Sequence, residues 1–182
     1  MKNPWKTLST KKVYENPWIA VNESEVTNPA GNPGVYGVVH FKNTAVAILP
    51  LDENMNTWLV GQFRYTLNSF EWELPEGGSP EGEDPLDTAN RELKEETGLT
   101  ARSMYPILQM QLSNSVSDEI SISYIARDLI QGESEPEETE QLQVMKVSFE
   151  KAIEMVMNGE IRDALSVATL LKAKLLFDQG AL

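Results

Sequence analysis

Three glutamates near the middle of the chain have the residue type and spacing needed to bind a metal ion. Glu92, Glu95 and Glu96 are three and four residues apart, so in a helix their carboxylates would point the same way. Like charges at this spacing destabilise a helix by about 0.2–0.5 kcal/mol per pair. A hard divalent cation such as Mg²⁺ or Mn²⁺, which prefers oxygen ligands, would offset that cost. The alternative is a solvated acidic face with no ligand.

The surrounding sequence predicts this helix and a segment that approaches it. Asp84 can cap a helix over residues 85–97, and Gly98 suits its left-handed stop. Glycines in the preceding segment, residues 77–82, predict a tight loop between a strand over residues 71–74 and the helix. That loop would bring backbone carbonyls towards the helical carboxylates, so loop and helix together form one candidate metal site.

The spacing of these residues resembles the signature of the Nudix hydrolases. That signature runs Gly, five residues, Glu, seven residues, Arg-Glu-(aliphatic)-x-Glu-Glu-x-Gly-(aliphatic). The chain matches it at Gly77, Glu83, Arg91, Glu92, Leu93, Glu95, Glu96, Gly98 and Leu99. So many fixed positions rarely agree by chance. The resemblance implies an α/β protein with the family's α/β/α sandwich and mixed, curled sheet.

The same resemblance implies roles for individual residues. Glu92 and Glu96 would be the principal Mg²⁺ ligands, with Mn²⁺ as the alternative cation, and the backbone carbonyl of Glu76 would complete the site. Glu95 would support them as a catalytic residue. Arg91, four residues before Glu95, would orient the glutamates.

Composition excludes several classes of function. The 182 residues carry a formal net charge of −13 and include no cysteine and one histidine. This acidity disfavours binding to nucleic acid or to an anionic membrane. The sequence has no apolar run of the roughly 20 residues that span a membrane and no signal-peptide pattern, so we predict a cytoplasmic protein. His40 is interpreted as structural, which leaves base catalysis to a carboxylate.

Residues 1–43 read as a small antiparallel β appendage, followed by a Nudix domain over residues 44–182. Alternation and turn residues predict three strands in the appendage, over residues 11–14, 19–26 and 36–41. In the ADP-ribose pyrophosphatase branch of the family such an element exchanges across a homodimer, and that resemblance implies a dimer here. Trp18 and Tyr14 are candidates to stack on the base of the substrate. Packing in the core is the alternative for each.

Two further segments come before the signature. Apolar runs over residues 45–51 and 58–63 predict a hairpin that enters the core. Arg64 follows, and sugar-nucleotide Nudix enzymes carry a similar Gln-x-Arg with the arginine on the substrate, a role that suits a forked guanidinium. A surface arginine is the alternative. Glu73, just before the glycine-rich segment, is a further candidate substrate-binding residue.

A polar loop over residues 113–119 joins two predicted strands after the helix, residues 105–112 and 120–126. In the family, this region tends to track the class of substrate. The loop lacks both the proline that marks ADP-ribose specificity and the tyrosine that marks dinucleoside polyphosphates. This departure argues against a dedicated ADP-ribose specificity.

An acidic segment over residues 132–140 by itself indicates a disordered loop. By resemblance to ADP-ribose pyrophosphatases, Glu138 would be the base that takes a proton from water and Glu140 a further metal ligand. Glu135 and Glu137 have the same spacing and form the competing pair for these two roles.

Two helices are predicted after this segment, over residues 149–157 and 164–177. We expect three methionines to be buried in the core, Met145, Met155 and Met157.

These features favour hydrolysis of a phosphoanhydride in a nucleoside diphosphate sugar, giving a nucleoside monophosphate and a sugar phosphate. One alternative is removal of pyrophosphate from a nucleoside triphosphate or from the 5′ end of an RNA. Another is a Nudix-fold sensor that binds its ligand without cleaving it. A sensor should have lost signature glutamates, and all of them are present.

Overall fold

The computed structural model describes residues 1–134 and 141–182 of the chain. Within these residues the strands are β1 (Lys6–Glu15), β2 (Ile19–Thr27), β3 (Pro33–Phe41), β4 (Asn43–Pro50), β5 (Asn56–Arg64), β6 (Ser69–Glu73), β7 (Glu76–Pro80), β8 (Leu99–Gln111), β9 (Ile120–Gln131) and β10 (Gln143–Ser148). The helices there are α1 (Pro85–Thr97), α2 (Phe149–Met157) and α3 (Ala164–Asp178).

The N-terminal sheet is antiparallel, in the order β1–β2–β3. The turn between β2 and β3 forms because the Asn28 side chain accepts hydrogen bonds at 3.0 Å from the backbone N–H groups of Ala30 and Asn32. β1 is exposed along its whole length. The predicted antiparallel β appendage is therefore confirmed.

The remaining strands form a four-stranded sheet in the order β7–β4–β9–β8 and a three-stranded sheet in the order β10–β5–β6. β4 and β9 are parallel, whereas the other neighbouring pairs are antiparallel. The sheet that contains β4 is therefore mixed, as expected. β4 lies inside this sheet, with Val46, Ile48 and Leu49 fully buried.

The predicted hairpin of residues 45–51 and 58–63 is wrong. β4 and β5 follow each other closely in the sequence, but β4 pairs with β7 and β9, whereas β5 pairs with β6 and β10. The two strands therefore lie in different sheets. Their apolar runs are buried on both faces, as Ile48 and Leu49 show, so no alternation specified a partner.

The glycine-rich segment is also not the tight loop that the sequence predicted, because its first half is the strand β7, paired with β4. Its glycines allow close approach to α1: a Cβ on Gly77 would lie 2.1 Å from Cδ of Glu92. Gly82 takes a positive φ of 91°, which favours glycine. The glycines thus serve two needs, a close contact in the strand and a turn after it.

Helices cover both faces of β4. Ala89 of α1 belongs to a core cluster with Ile48, while Phe149 of α2 and Leu170 of α3 belong to a second cluster with Leu49. Since successive side chains of a strand point to opposite faces, β4 separates two apolar layers. This arrangement confirms the α/β/α sandwich.

α2 has its predicted bounds, and α3 extends one residue beyond them. Met155 is 3% exposed, and Met145 packs against the same core. The prediction for Met157 is wrong: its side chain is 73% exposed, because it lies on the outward face at the last turn of α2. None of the helices in residues 1–134 and 141–182 is long and apolar enough to cross a bilayer.

Candidate active site

The helix that carries the glutamates begins and ends at strong local signals. The Asp84 side chain accepts a hydrogen bond from the backbone N–H of Leu86 at 2.9 Å. Gly98 adopts φ 73° and donates its N–H to the carbonyl of Lys94 at 2.8 Å. α1 therefore has its predicted bounds, and it presents the charged residues of the signature next to β7.

Arg91 holds two of these carboxylates together. Its Nη1 donates to Oε2 of Glu95 at 2.8 Å and lies 3.0 Å from Oε1 of Glu92. Burial alone would lower the pKa of Arg91, but the charges of Glu92 and Glu95 outweigh it and raise the pKa. The contact with Glu95 is the one that the i, i+4 spacing predicts. The catalytic roles of Arg91 and Glu95 stay predictions.

Glu96 and Glu92 connect α1 to β7. Glu96 is 2% exposed, and its Oε2 accepts a hydrogen bond from the backbone N–H of Glu76 at 3.1 Å. Glu92 lies directly against Gly77. The three predicted metal-ligating residues in the described part of the chain, Glu76, Glu92 and Glu96, therefore come together. The predicted base Glu138 and the predicted ligand Glu140 lie outside the described residues.

A second charged cluster lies beside the first. Nε of Arg64 donates to Oε2 of Glu73 at 3.0 Å, and its Nη2 lies 2.7 Å from Oε1 of Glu73 and also pairs with Glu76. Burial raises the pKa of Glu73, while burial and the charge of Glu73 raise the pKa of Glu76 well above its ordinary value. Arg64 thus already binds two carboxylates, one buried and one largely buried, so a diphosphate would share its guanidinium with them.

A cavity of about 1070 Å³ opens at these clusters. Three of the predicted substrate-binding residues line it: Trp18, Arg64 and Glu73. The fourth, Tyr14, is 54% exposed on β1 and lies outside the lining. Gly77, the first residue of the signature, is in the lining as well. The structure therefore brings an aromatic residue that precedes β2 to the same cavity as the signature.

The loop after β8 forms another wall of the cavity. It and its ends contribute three lining residues, Leu112, Ser113 and Glu119. The loop is fastened to β3, since Asp118 accepts a hydrogen bond at 3.0 Å from the backbone N–H of Phe41 and lies 2.6 Å from Nδ1 of His40. The backbone N–H of Val39 donates to the carbonyl of Val116 at 2.8 Å. His40 therefore helps to hold this loop against β3, which agrees with its interpretation as a structural residue.

A third wall of the cavity contains charged residues that were not predicted from the sequence. Arg162 and Asp163, which lie between α2 and α3, line the cavity together with Glu71 of β6. Arg162 donates from Nε to Oε2 of Glu71 at 3.2 Å and pairs through Nη2 with Oε1. Hydrogen bonds from Ser69 and Arg162 lower the pKa of Glu71. A signal was available, because Glu71 and Glu73 alternate with aromatic residues and give β6 one charged face.

The donor set fits a hard divalent cation, because every candidate ligand is a carboxylate or carbonyl oxygen. Oε2 of Glu76 is buried and has no hydrogen-bond partner in the described part of the chain. Among those same residues, no three acidic or histidine side chains are arranged as a ready-made metal site. The carboxylates pair instead with Arg64 and Arg91.

Comparison with known proteins identifies the class to which this fold and site belong. The model described as the NUDIX domain matches residues 41–170, which is more than half of the chain, so the chain belongs to the Nudix family. The model described as the nucleoside diphosphate sugar hydrolase N-terminal domain matches residues 5–39. The chain is therefore a Nudix hydrolase of the nucleoside diphosphate sugar branch.

Individual relatives agree with this branch. The chain is 32% identical over 161 residues to an ADP-ribose pyrophosphatase of Bacillus subtilis (strain 168). This alignment covers 87% of this chain and 86% of the relative. It is 31% identical over 175 residues to an ADP-ribose pyrophosphatase of Mycobacterium tuberculosis, and this alignment covers 93% of this chain and 83% of the relative. A crystal structure of an ADP compounds hydrolase superposes with a TM-score of 0.86 at 22% identity over 98% and 97% of the two chains. This last similarity shows the fold.

Proposed function

We propose that this chain hydrolyses the diphosphate bond of nucleoside diphosphate sugars with Mg²⁺ as the cation. The observation that carries the proposal is the cavity, which is lined both by Gly77 of the signature and by Trp18 beside the N-terminal sheet. The residues of that sheet match the N-terminal domain of nucleoside diphosphate sugar hydrolases. The relatives named ADP-ribose pyrophosphatase make ADP-ribose the first substrate to test.

In this reaction the oxygen of a water molecule forms a bond to one phosphorus and the bond from that phosphorus to the bridging oxygen breaks. The products are a nucleoside monophosphate and a sugar phosphate. A divalent cation, when bound, neutralises charge that develops on the phosphoryl oxygens. Four residues would hold it, Glu92 and Glu96 through their carboxylates, Glu76 through its carbonyl, and Glu140. Arg91 and Glu95 would keep Glu92 in place.

Glu138 would accept the proton from the attacking water. Replacing it by Gln keeps the size of the side chain but removes the base, so Glu138→Gln should lower kcat by about 10²–10⁴-fold with little change in KM. Steady-state monophosphate release measures both constants. Glu135→Gln is the matched control, since Glu135 takes the place of Glu138 in the competing Glu135 and Glu137 pair. Near-normal turnover of Glu138→Gln with a large loss in Glu135→Gln would transfer the role of base to Glu135.

The function itself is tested by monophosphate release from a panel of substrates with Mg²⁺. The panel contains ADP-ribose, ADP-glucose, GDP-mannose, UDP-glucose, a nucleoside triphosphate and a 5′-triphosphate RNA, and Glu96→Gln is the control. Turnover confined to the diphosphate sugars and lost in Glu96→Gln is the expected result. Cleavage of the triphosphates alone would favour the pyrophosphohydrolase, and tight binding without turnover would favour the sensor.

We further propose that residues 1–43 and 44–182 are distinct units and that the first exchanges across a homodimer. The N-terminal unit supports this idea because it exposes apolar side chains that a partner could cover: Leu8 is 63% exposed, Val35 67% and Trp18 65%. The cytoplasmic location and the absence of nucleic acid and membrane partners belong to the same proposal.

A further inference from the structure

Two guanidinium groups lie among the described residues that line the cavity, and they differ in how much of their binding capacity is already used. Arg64 is bound by the carboxylates of Glu73, which is buried, and Glu76, which is 15% exposed, and its own side chain is 35% exposed. Among residues 1–134 and 141–182, Arg162 is bound by Glu71 alone, and its side chain is 63% exposed. A guanidinium has five N–H donors, so Arg162 keeps more of them for a ligand than Arg64 does.

The segment that carries Arg162 is held rigidly against β6. Ile161 is 1% exposed and forms an isolated parallel bridge with Trp72. Asp163 caps α3 by accepting a hydrogen bond from the backbone N–H of Ser166 at 2.7 Å. The hydroxyl of Ser166 in turn accepts one from the backbone N–H of Leu74 at 2.8 Å. Arg162 therefore sits between two anchored residues.

The side chain of Arg162 is fixed as well. Glu71 is 4% exposed, and its two carboxylate oxygens bind Nε and Nη2 of Arg162, a two-point contact that sets the plane of the guanidinium. A side chain that is already ordered loses less conformational entropy when a ligand binds. The pair thus presents Nη1 and the second N–H of Nη2 in a fixed plane.

The chemistry of the walls indicates which half of a substrate would meet this pair. Trp18 and Phe41 give one wall an aromatic surface that suits a base. Arg162 and Glu71 offer charged donors and acceptors, which suit hydroxyl and phosphate oxygens. We propose that Arg162, held by Glu71, is a substrate-binding residue that donates hydrogen bonds to the sugar phosphate half of the nucleoside diphosphate sugar. This inference rests on the proposed function.

The test compares the wild type with Arg162→Gln and Arg162→Lys. Arg102→Gln is the matched control, since Arg102 is exposed on β8 and lies outside the cavity lining. Losing a hydrogen bond from a charged donor should raise KM for ADP-ribose about tenfold or more and leave kcat within about threefold, because the group acts in binding. Arg162→Lys should recover part of the affinity, because it keeps the charge but not the planar fork.

A second readout separates binding from structure. Competitive inhibition by ribose 5-phosphate should weaken in Arg162→Gln, while inhibition by AMP should not. Inorganic phosphate and ribose, used as separate inhibitors, distinguish a phosphate contact from a hydroxyl contact, and a change in either supports the proposal. Thermal melting of each variant reports on the fold.

The outcomes against the proposal are distinct. Unchanged KM and unchanged inhibition by ribose 5-phosphate in Arg162→Gln, with wild-type turnover intact, would overturn the role of Arg162 and leave the proposed function standing. A lower melting temperature with unchanged KM would make the Arg162–Glu71 pair purely structural and overturn the role too. If the wild type released no monophosphate from any diphosphate sugar, the proposed function and this inference would fall together.

Discussion

At the scale of single residues, the Glu92 carboxylate occupies the space that any side chain at position 77 would need. A Cβ on Gly77 would lie 2.1 Å from Cδ and 2.2 Å from Oε1 of Glu92. Cγ of Glu92 would lie 2.6 Å away as well, so the whole side chain beyond its Cβ must change rotamer. All three atoms belong to a flexible side chain and none to the backbone. The position of one glutamate in the candidate metal site therefore depends on the absence of a side chain on β7.

This dependence predicts that Gly77→Ala folds normally but loses activity. The melting temperature should change by only a few degrees, because the clash is relieved by one side chain, whereas kcat/KM should fall by about 10²-fold since a ligand is displaced. Circular dichroism melting and monophosphate release measure the two quantities. Gly37→Ala is the control, because a Cβ there meets no atom within 4 Å. A large loss of stability with normal activity per folded molecule would contradict the prediction.

The partners of the charged residues in the candidate site could be predicted from the sequence only where the two residues are close together along the chain. Arg91 and Glu95 are one helical turn apart, so their ion pair follows from spacing. The partners of Arg64 and Arg162 could not be predicted in this way, since Arg162 and Glu71 are 91 residues apart. A pairing of that kind depends on where the segment between α2 and α3 lies relative to β6, which it meets at the bridge between Ile161 and Trp72.

At the scale of elements, the end of α1 is sensitive to both conformation and space. Gly98 has φ +73°, and a Cβ there would lie 2.6 Å from the carbonyl oxygen of Gly132. Gly98→Ala should therefore destabilise the protein by more than the roughly 1–2 kcal/mol of a left-handed residue. Gly159→Ala is the matched control, since Gly159 has φ +75° with no atom within 4 Å of its added Cβ.

Urea denaturation of the two variants separates these contributions. Gly159→Ala should lose only the conformational part, and Gly98→Ala should lose more, because backbone atoms rather than a flexible side chain must move. Equal losses in the two variants would mean that the contact with Gly132 costs nothing.

The turn between β4 and β5 predicts a specific response to acid. Asp52 accepts hydrogen bonds from the backbone N–H groups of Asn54 and Asn56 and pairs with Lys146 at 2.8 Å. Burial alone would raise the pKa of Asp52, but hydrogen bonds from Lys146 and Asn56 outweigh it and lower the pKa from 3.8 to about 2. The stabilisation is therefore fully present above about pH 4 and is lost as the pH falls towards 2.

Asp52→Asn should consequently be less stable than the wild type at pH 7, and its stability should fall less steeply between about pH 4 and pH 2. Urea midpoints across this range measure the slopes. Glu53→Gln, an exposed change in the same turn, is the control. Parallel curves for the wild type and Asp52→Asn would show that Asp52 does not contribute to acid sensitivity.

Elements with local signals could be predicted, and elements defined by distant partners could not. The bounds of α1 followed from Asp84 and Gly98, and those of α2 were equally correct. The parallel pairing of β4 with β9 places Ala45 opposite Ser121, although α1 and several strands separate the two residues along the chain. No short pattern encodes such a pairing, so the sequence suggested the nearest apolar run instead.

At the scale of the whole molecule, the exposed apolar side chains of the N-terminal sheet predict a dimer. Light scattering after size-exclusion chromatography should give twice the chain mass of 20.4 kDa. Val35→Glu, which places a charge on a side chain that is 67% exposed on β3, should shift the protein towards the monomer. Ile130→Glu is the matched control on β9, where the side chain is 48% exposed. A monomeric wild type at micromolar concentration would contradict the prediction.

The attachment of the loop after β8 to β3 has a consequence for anyone who wants to change which sugar nucleotide the protein accepts. Asp118 binds His40 and the backbone of Phe41, Val39 binds Val116, and the hydroxyl of Tyr36 donates to the carbonyl of Ser115 at 2.8 Å. A loop grafted from a relative would lose these partners unless β3 came with it. The smallest portable module for redesigning selectivity is therefore the loop together with the last strand of the N-terminal sheet.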